Sequence, residues 1–521
     1  MSSARSIGVL TVLNIGVAII GLATSVVTAH YFGTTRTLEV FFAASTLQSL
    51  MLSISQSGQV SEVLIPVYHR LKHAEGLDSA QRAYSVVTNW MMIWLAGLTA
   101  AMWLLAPVLA DLMVPGFDEA SRAATATMFR WLVPLLPLQV FLSLLGGVSN
   151  AEKWFGKPEL FSFVSQVVGL GFTVAFAAKL GTWVLVFATW ANQLLLLGGF
   201  ILILRQLGYR HRFVLRHPGC PVLPLFRQLG TTLGYVLCTQ LYTFALNAGI
   251  SLLPQGTYAV FRYVMVLYSK TNGILLRPVS IVFFTHFSEA FAAGSEKVRV
   301  LLQLALSRML TTSALALVVA CVAAPGAVRA LWGGRLFQSG QLELSGNLLM
   351  LLMALLVPSG FAQVVRKLVI SAGCITRLYV AMALVQIASA SLAYWLPKQY
   401  GVAGAVAVLI FNSVLLAGAC EVLLVYARPG LVAFFAWGEV WRWGLAGGLA
   451  WLIGALVAHA EGSYLPAGRL WLGLSVCVAA SVAAAGALGL AWLLRIEDIR
   501  RLAAFVQSRL RAVPLGRVAA V

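Results

Sequence analysis

The feature of this sequence that most constrains its fold is a series of long apolar stretches separated by short polar connections. A helix of about 20 apolar residues spans the hydrocarbon core of a bilayer. Of the 521 residues, 60% are hydrophobic and only 10% are charged, whereas soluble domains carry about 25% charged residues. Water cannot solvate so apolar a chain of this length, but lipid can. We therefore predict an all-α integral membrane protein.

We predict about fourteen transmembrane helices, arranged as two six-helix bundles followed by two additional helices. Residues 1–227 form the first bundle and its following cytoplasmic loop, 228–430 the second bundle, 431–494 the additional helices and 495–521 a basic cytoplasmic tail. The predicted spans are 7–31, 39–67, 84–111, 124–151, 158–179, 182–204, 228–253, 258–284, 309–334, 346–372, 377–397, 401–427, 441–459 and 470–494.

Lysine and arginine are distributed unevenly between the two sides of these predicted spans. With the N-terminus inside, the inner segments hold 25 of the 36 cationic residues, the outer segments hold eight and the eighth span holds three. This positive-inside bias predicts that both termini are cytoplasmic. Because the cations are dispersed in short clusters, the net charge of +19 does not indicate nucleic-acid binding. The basic tail is expected to lie along the anionic inner leaflet as a short amphipathic helix.

Two predicted spans share an internal pattern. The sixth span begins at Gly181 and reaches Asn192 eleven residues later, and the twelfth begins at Gly401 and reaches Asn412 at the same spacing. In each, a Leu-Leu pair begins three residues after the asparagine. Identical spacing six spans apart is expected if a six-helix unit was duplicated. Duplicated bundles are common in transporters, with the substrate site between the halves. Chance remains the alternative for a single match.

Several short motifs occur in a fixed order along the chain. They are Phe32-Gly33, Glu39, Phe41-Phe42-Ala43, Leu47, Leu50, Gly58, Ser61 and Pro66; Pro115-Gly116-Phe117; Gly147, Asn150-Ala151, Phe155 and Pro158; and Gly401-Val402-Ala403-Gly404-Ala405 with Asn412. Over roughly residues 8–430 this series resembles the MurJ/MviN family of lipid II flippases, within the multidrug/oligosaccharidyl-lipid/polysaccharide exporter superfamily. The resemblance implies a fourteen-helix fold, a polyprenyl-diphosphate-linked saccharide as cargo, and a multi-pass location in the bacterial inner membrane. We expect a monomer without cofactors.

The sequence departs from that family at the positions of its cavity arginines. The family carries arginines on the first span, a pair on the second and one on the eighth. Here the first-span positions hold Ala18 and Thr24, and the second-span pair is Leu52-Ser53. On the eighth span Val266 stands at the arginine position, with Arg262 one turn away. Both lipid II and an exopolysaccharide repeat unit therefore remain open as cargo.

The eighth span carries three cations within an apolar run. Arg262, Lys270 and Arg277 are separated by 8 and 7 residues, so they lie within roughly 80° of one another on a helix. Facing lipid, they would cost on the order of 8–10 kcal/mol, which predicts that the stripe faces a polar cavity. We predict that these three residues and Asn272 bind an anionic diphosphate. The alternative is that the arginines reach the two interfaces and Lys270 pairs with an acid.

Two acids on the second span are candidates for gating or ion coupling. Glu39 at the outer mouth is predicted to pair with Arg262 and to form an outer gate, and Glu62 lies near the inner end. A buried carboxylate there could bind a coupling proton or sodium ion. For both residues, ordinary interfacial solvation is the alternative.

Three functions were weighed. A lipid-linked saccharide flippase fits a cationic cavity. A cation-coupled multidrug-type exporter would favour acids in the cavity instead. A membrane glycosyltransferase or polymerase would need paired carboxylates or a metal, for which the only cluster is Asp111, Asp118 and Glu119 in one outer loop. The sequence therefore favours a transporter rather than an enzyme.

Overall fold

In a computed structural model of the chain, the described residues form helices joined by turns and loops, and no strand occurs among them. The structure describes residues 3–55, 57–152, 154, 156–218, 222–292, 298–334, 337, 339–428, 431–433, 437–464, 469–496 and 499–500. Its helices are α1 (Ser3–Phe32), α2 (Arg36–Ile54), α3 (Ser57–Ala74), α4 (Leu77–Leu104), α5 (Ala106–Met113), α6 (Glu119–Leu132), α7 (Leu135–Ala151), α8 (Gly156–Leu180), α9 (Trp183–Gln206), α10 (Val222–Ser251), α11 (Thr257–Ala292), α12 (Val298–Trp332), α13 (Ser339–Ala354), α14 (Leu356–Ser371), α15 (Ile375–Ala427), α16 (Trp437–Tyr464) and α17 (Arg469–Leu493).

The membrane class predicted from composition is confirmed by these helices. Within the described residues, ten helical segments are long and apolar enough to cross a bilayer, and each predicted span falls on helix. The total of fourteen spans and the cytoplasmic position of both termini stay predictions. The predicted amphipathic tail, residues 495–521, lies outside the described residues except at 495, 496, 499 and 500.

Several predicted spans are pairs of helices rather than single ones. The span predicted at 84–111 is broken where α4 ends at Leu104; α5 then begins at Ala106, with Pro107 in its first turn. The span at 124–151 is broken beside Pro134, between α6 and α7. Proline lacks the N–H that a continuous helix requires, and hydropathy alone does not register such a break. The eleventh and twelfth predicted spans are two helices within the range of α15. They meet at a kink, where Gly401 has non-helical angles (φ 62°, ψ −140°).

The chain divides into two compact units. Unit 1 comprises Met1–Arg262, Gly334–Gln338 and Gln386–Val408, and unit 2 comprises Tyr263–Gly333, Ser339–Val385 and Leu409–Val521. The domain boundaries predicted after residues 227, 430 and 494 stay predictions.

The core of unit 1 is formed by α3, α4, α7 and α9. Leu95, Leu136 and Val140 are fully buried in it, and the Tyr84 hydroxyl donates to the carbonyl of Leu144 at 2.6 Å. Apolar burial fixes the spacing of these helices, while the tyrosine satisfies a polar atom inside the core.

An extended segment, residues 208–217, follows α9 and lies along α4; we name it the inner strap. The Asn89 amide nitrogen donates to the carbonyls of Arg212 and Val214, at 2.9 Å each. The Asn89 oxygen lies 2.9 Å from Nε2 of His211. One buried asparagine thus satisfies backbone groups that a strand partner would otherwise satisfy.

Unit 2 is built around α12, which packs against α13, α14, α16 and α17. The contact with the last two helices is lined by small residues that are completely buried, which allows close helix approach. They are Ala446 and Ala450 on α16, and Ala483, Ala487 and Ala491 on α17.

Candidate functional site

The cationic stripe predicted on the eighth span lies on α11. Lys270 and Arg277 are exposed side chains of unit 2, and neither forms an ion pair with a carboxylate of the described residues. They lie seven residues apart, which is about 10 Å along the helix and about 20° around it. The predicted alternative in which Lys270 is neutralised by an acid finds no partner in that part of the chain.

The opposite face of α11 packs against α14 through polar pairs. The hydroxyls of Tyr268 and Ser359 lie 3.1 Å apart, and the Gln363 amide donates to Oδ1 of Asn272 at 3.1 Å. Lys270 lies about 160° around the helix from Tyr268. The carbonyl of Asn272 is thus engaged by a neighbouring helix, and its role in binding cargo stays a prediction.

Arg262 lies in unit 1 and is partly buried. Its Nε atom is buried and makes no hydrogen bond to a described residue. A buried guanidinium N–H without an acceptor is costly, which makes Arg262 a donor available to an anion. Its predicted role in binding cargo is compatible with this geometry and stays a prediction.

Glu39 is a fully buried carboxylate at the start of α2. Its Oε1 accepts hydrogen bonds from the backbone N–H groups of Gly256 (2.9 Å) and Ala259 (3.3 Å) at the start of α11. Its Oε2 lies 2.8 Å from a guanidinium nitrogen of Arg36. A helix N-terminus carries unsatisfied N–H groups and a partial positive charge, so it favours an anion.

The predicted partner of Glu39 was therefore wrong: it pairs with Arg36 rather than with Arg262. Arg36 precedes it by one helical turn, so their contact is local, and the α11 N-terminus supplies the remaining donors. The gating role itself stays a prediction. For Glu62, which lies on α3, the side chain falls outside the described part, and its predicted role in gating or ion coupling stays a prediction.

The Pro115-Gly116-Phe117 motif packs beside Arg36, the partner of Glu39. The Arg36 guanidinium lies 4.3 Å from the Phe117 ring centroid, and that ring contacts Tyr258 edge-on at 5.8 Å. Gly116 donates its N–H to Ser251 Oγ at 3.2 Å, and a Cβ on Gly116 would lie 2.2 Å from the Ser251 carbonyl oxygen. We call Arg36, Glu39, Gly116, Phe117, Ser251, Gly256, Tyr258 and Ala259 the outer latch.

The positions that differ from the family's cavity arginines carry no compensating charge. The Thr24 hydroxyl donates to the Ile20 carbonyl, and the Ser53 hydroxyl donates to the Ser49 carbonyl. Each hydroxyl thus bonds to its own helix.

The outer carboxylates considered for enzymatic chemistry have structural partners. Asp118 caps α6 by accepting hydrogen bonds from the Ser121 hydroxyl (2.7 Å) and N–H (3.2 Å), and these bonds lower the pKa of Asp118. Asp111 lies 3.4 Å from Arg122. This cluster serves helix capping and charge pairing.

A polar cluster on α3 and the end of α7 was missed by sequence reasoning. Glu152 accepts from Lys72 Nζ at 2.6 and 2.7 Å and from the Tyr68 hydroxyl at 2.8 Å. Lys72 and Glu152 are 80 residues apart, so no local spacing signals the contact. The signal in the sequence was only that both lie in predicted inner segments.

Sequence comparison relates the chain to one family. The family model "Lipid II flippase MurJ" matches residues 28–460. A lipid II flippase MurJ of Burkholderia cenocepacia is 26% identical over 216 residues, covering 38% of this chain and 40% of that protein. A probable lipid II flippase MurJ of Buchnera aphidicola is 20% identical over 306 residues, covering 57% and 58% respectively. The chain spans about half the length of these curated relatives.

Solved structures share the fold. A lipid II flippase MurJ in an inward closed conformation superposes with a TM-score of 0.73 at 16% identity, covering 93% of this chain and 99% of that one. An inward-facing multidrug resistance MATE transporter of the MOP superfamily gives a TM-score of 0.62 at 16% identity, covering 79% and 94%. The chain thus shares the multi-helix fold of these two proteins.

Within that class, the match over most of its length assigns the chain more closely. It belongs to the lipid II flippase MurJ family, as the motifs from Phe32 to Asn412 predicted. It is accordingly a multi-pass protein of the bacterial inner membrane, in a family of transporters.

Proposed function

We propose that this chain is a lipid-linked saccharide flippase. It moves an undecaprenyl-diphosphate-linked precursor, either lipid II or a related peptidoglycan or exopolysaccharide unit, from the cytoplasmic to the periplasmic leaflet. One observation carries the proposal: Lys270 and Arg277 stand exposed on one face of a membrane helix, without a carboxylate partner in the described part of the chain. Membership of the MurJ family supports the cargo class.

The physical argument is one of charge. Two cations facing acyl chains would cost roughly 5–7 kcal/mol, whereas a diphosphate provides several negative oxygens for them. Lys270 offers a compact point charge and Arg277 a planar fork that can bind two oxygens at once. A small cationic drug would be repelled by the same pair, so the stripe disfavours the multidrug-type alternative.

The transport step makes and breaks no covalent bond. The saccharide and diphosphate cross a polar path while the polyprenyl tail stays in the bilayer. Alternating access requires an outer closure that opens and re-forms. The outer latch suits that role, because its bonds join a buried carboxylate to the N-terminus of the helix that carries Lys270 and Arg277. A proton or a sodium ion is our candidate for the coupling ion.

The test is rescue of a bacterium depleted of its own lipid II flippase. The wild-type chain should restore growth, and K270A/R277A should abolish rescue because the diphosphate loses both partners. K398A, which removes an exposed cation elsewhere, is the matched control and should rescue fully. Membrane levels of each variant are measured by immunoblot.

Rescue by K270A/R277A at normal protein level would discard the role of the stripe. Failure of the wild-type chain to rescue, together with loss of a secreted polysaccharide when its gene is deleted, would select the exopolysaccharide unit as cargo.

A further inference from the structure

The cations at the predicted inner ends of the helices are held in two different ways. In unit 1 three of them pair with carboxylates: Lys72 with Glu152 at 2.6 Å, and Arg82 and Arg212 with Asp78, also at 2.6 Å. The Lys72 charge is thus neutralised, and Asp78 offsets one of the two arginine charges beside it.

In unit 2 four of the predicted inner cations lie over aromatic rings. Three of them come from different helices and gather on the C-terminal part of α11. These contacts are Arg308 over Phe283 at 5.9 Å, Lys367 over Phe284 at 4.7 Å and Arg428 over Phe291 at 5.4 Å. A fourth cation, Arg377, lies over Tyr426 at 4.8 Å, and that ring is two residues before Arg428. We call these four cations and four rings the basic aromatic platform.

A ring orients a cation without cancelling its charge. The attraction of a cation to a ring face is weak at an exposed site, and the ring carries no net negative charge. Arg308, Arg377 and Arg428 are exposed, and none has a carboxylate within 4 Å in the described part of the chain. These three arginines therefore present fixed positive charge that no described carboxylate offsets.

We propose that the basic aromatic platform docks the phosphate headgroups of anionic phospholipids in the inner leaflet. Charge complementarity favours this partner, because basic clusters on the cytoplasmic side attract anionic lipids. Aromatic side chains suit the headgroup level of a bilayer, and guanidinium groups bind phosphate oxygens in pairs. This inference uses the predicted inner position of these residues and does not depend on the proposed cargo.

The depth of the cations separates this surface from the cargo stripe. Arg377 is the third residue of α15, and Arg428 follows directly after that helix ends at Ala427. Charges at helix ends lie at the level where phospholipid phosphates reside. Lys270, by contrast, is the fourteenth residue of the 36-residue α11. The basic aromatic platform therefore suits the headgroup of a phospholipid that stays in the inner leaflet, rather than that of a cargo lipid crossing the bilayer.

The test is binding of short-chain phosphatidylglycerol to the purified full chain, measured as an apparent Kd by native mass spectrometry. Each cation near an anionic lipid contributes a factor of about five to affinity. R428Q should therefore raise the Kd about fivefold, and R308Q/R377Q/R428Q on the order of a hundredfold. Binding of phosphatidylcholine should change less than about twofold, since its headgroup carries no net charge.

The matched control is D78N/R82Q/R212Q. It removes a cluster in which one carboxylate offsets one of two arginine charges and, like R428Q, lowers the net charge by one. Its Kd for phosphatidylglycerol should stay at the wild-type value. Equal weakening in this control and in R428Q would mean that overall charge alone attracts the lipid, which would overturn the proposal. An unchanged Kd in the triple platform variant would overturn it too.

A second ligand separates phospholipid from cargo. Farnesyl diphosphate has prenyl diphosphate chemistry and no sugar, and it should not displace phosphatidylglycerol at equal concentration. Displacement that disappears in R428Q would reassign the platform to the cargo and overturn the proposal. Size-exclusion profiles and unfolding midpoints show that each variant is folded before its Kd is compared.

Discussion

At the scale of single residues, Glu39 is a charged side chain without exposed surface. Its two hydrogen bonds from the start of α11 are charge-assisted, and such bonds contribute roughly 1.5–3 kcal/mol each. E39Q keeps an acceptor but removes the charge. We expect the amides of residues 256–260 to exchange about tenfold faster with deuterium, as measured by mass spectrometry.

E119Q is the control for that experiment, since Glu119 is an exposed carboxylate in the first turn of α6. It should leave exchange at residues 256–260 unchanged. Equal exchange in wild-type protein and E39Q would mean that the carboxylate does not hold the start of α11.

His211 in the inner strap makes local stability depend on pH. Burial lowers the pKa of His211 below its ordinary value of 6.5, so the folded strap disfavours the protonated ring. Between that lowered pKa and about 6.5, the released strap binds more protons than the held one, and stability is lost as pH falls. Once divided by the intrinsic chemical rate, which is itself lower at acidic pH, the exchange of residues 208–215 should therefore be faster at pH 5.5 than at pH 7.5.

H211Q keeps a donor for Asn89 and does not titrate, so its ratio of exchange rates should reflect only the intrinsic pH dependence of amide exchange. A wild-type ratio equal to that of H211Q would contradict the account of His211. Sequence reasoning found no role for this histidine, because Asn89 lies 122 residues away.

Contacts between residues far apart in the sequence cannot be inferred from local spacing, and this explains which site residues could be predicted. The alignment of Lys270 and Arg277 follows from the periodicity of one helix, and so it could be predicted. The Lys72–Glu152 pair and the docking of Gly116 against Ser251 depend on helix packing, and so they could not. Glu39 is intermediate: its position in a motif marked it, but its partners were assigned wrongly.

At the scale of elements, hydropathy located the helical segments because each must be apolar over about 20 residues. Hydropathy did not predict the helix breaks near Pro107 and Pro134, because these prolines change hydrogen bonding without changing hydropathy. Gly401, predicted as the boundary between two spans, has a backbone conformation (φ 62°, ψ −140°) that residues with a Cβ rarely adopt.

Gly401 supplies a prediction at this scale. G401A should destabilise the protein by about 1–3 kcal/mol, although no atom lies within 4 Å of the added Cβ, because the cost is conformational. The measurement is the unfolding midpoint in detergent. G418A, at an equally open position of the same helix, is the control and should match or slightly exceed wild type. Equal midpoints for the two variants would contradict the strain at Gly401.

At the scale of the whole molecule, positive charge is distributed for different tasks. Carboxylates pair with three inner cations of unit 1, and aromatic rings lie under four of unit 2. Lys270 and Arg277 have neither kind of partner in the described residues. The central claim is that this last pair meets the diphosphate of a lipid-linked saccharide during its transfer across the bilayer.

The most direct test is leaflet transfer of a lipid-linked disaccharide diphosphate in proteoliposomes containing the purified full chain. Wild type and K398A should accelerate transfer equally over protein-free vesicles. K270R should retain part of that rate because the charge persists, and K270A/R277A should fall to the protein-free rate. Transfer by K270A/R277A at the wild-type rate would contradict the account.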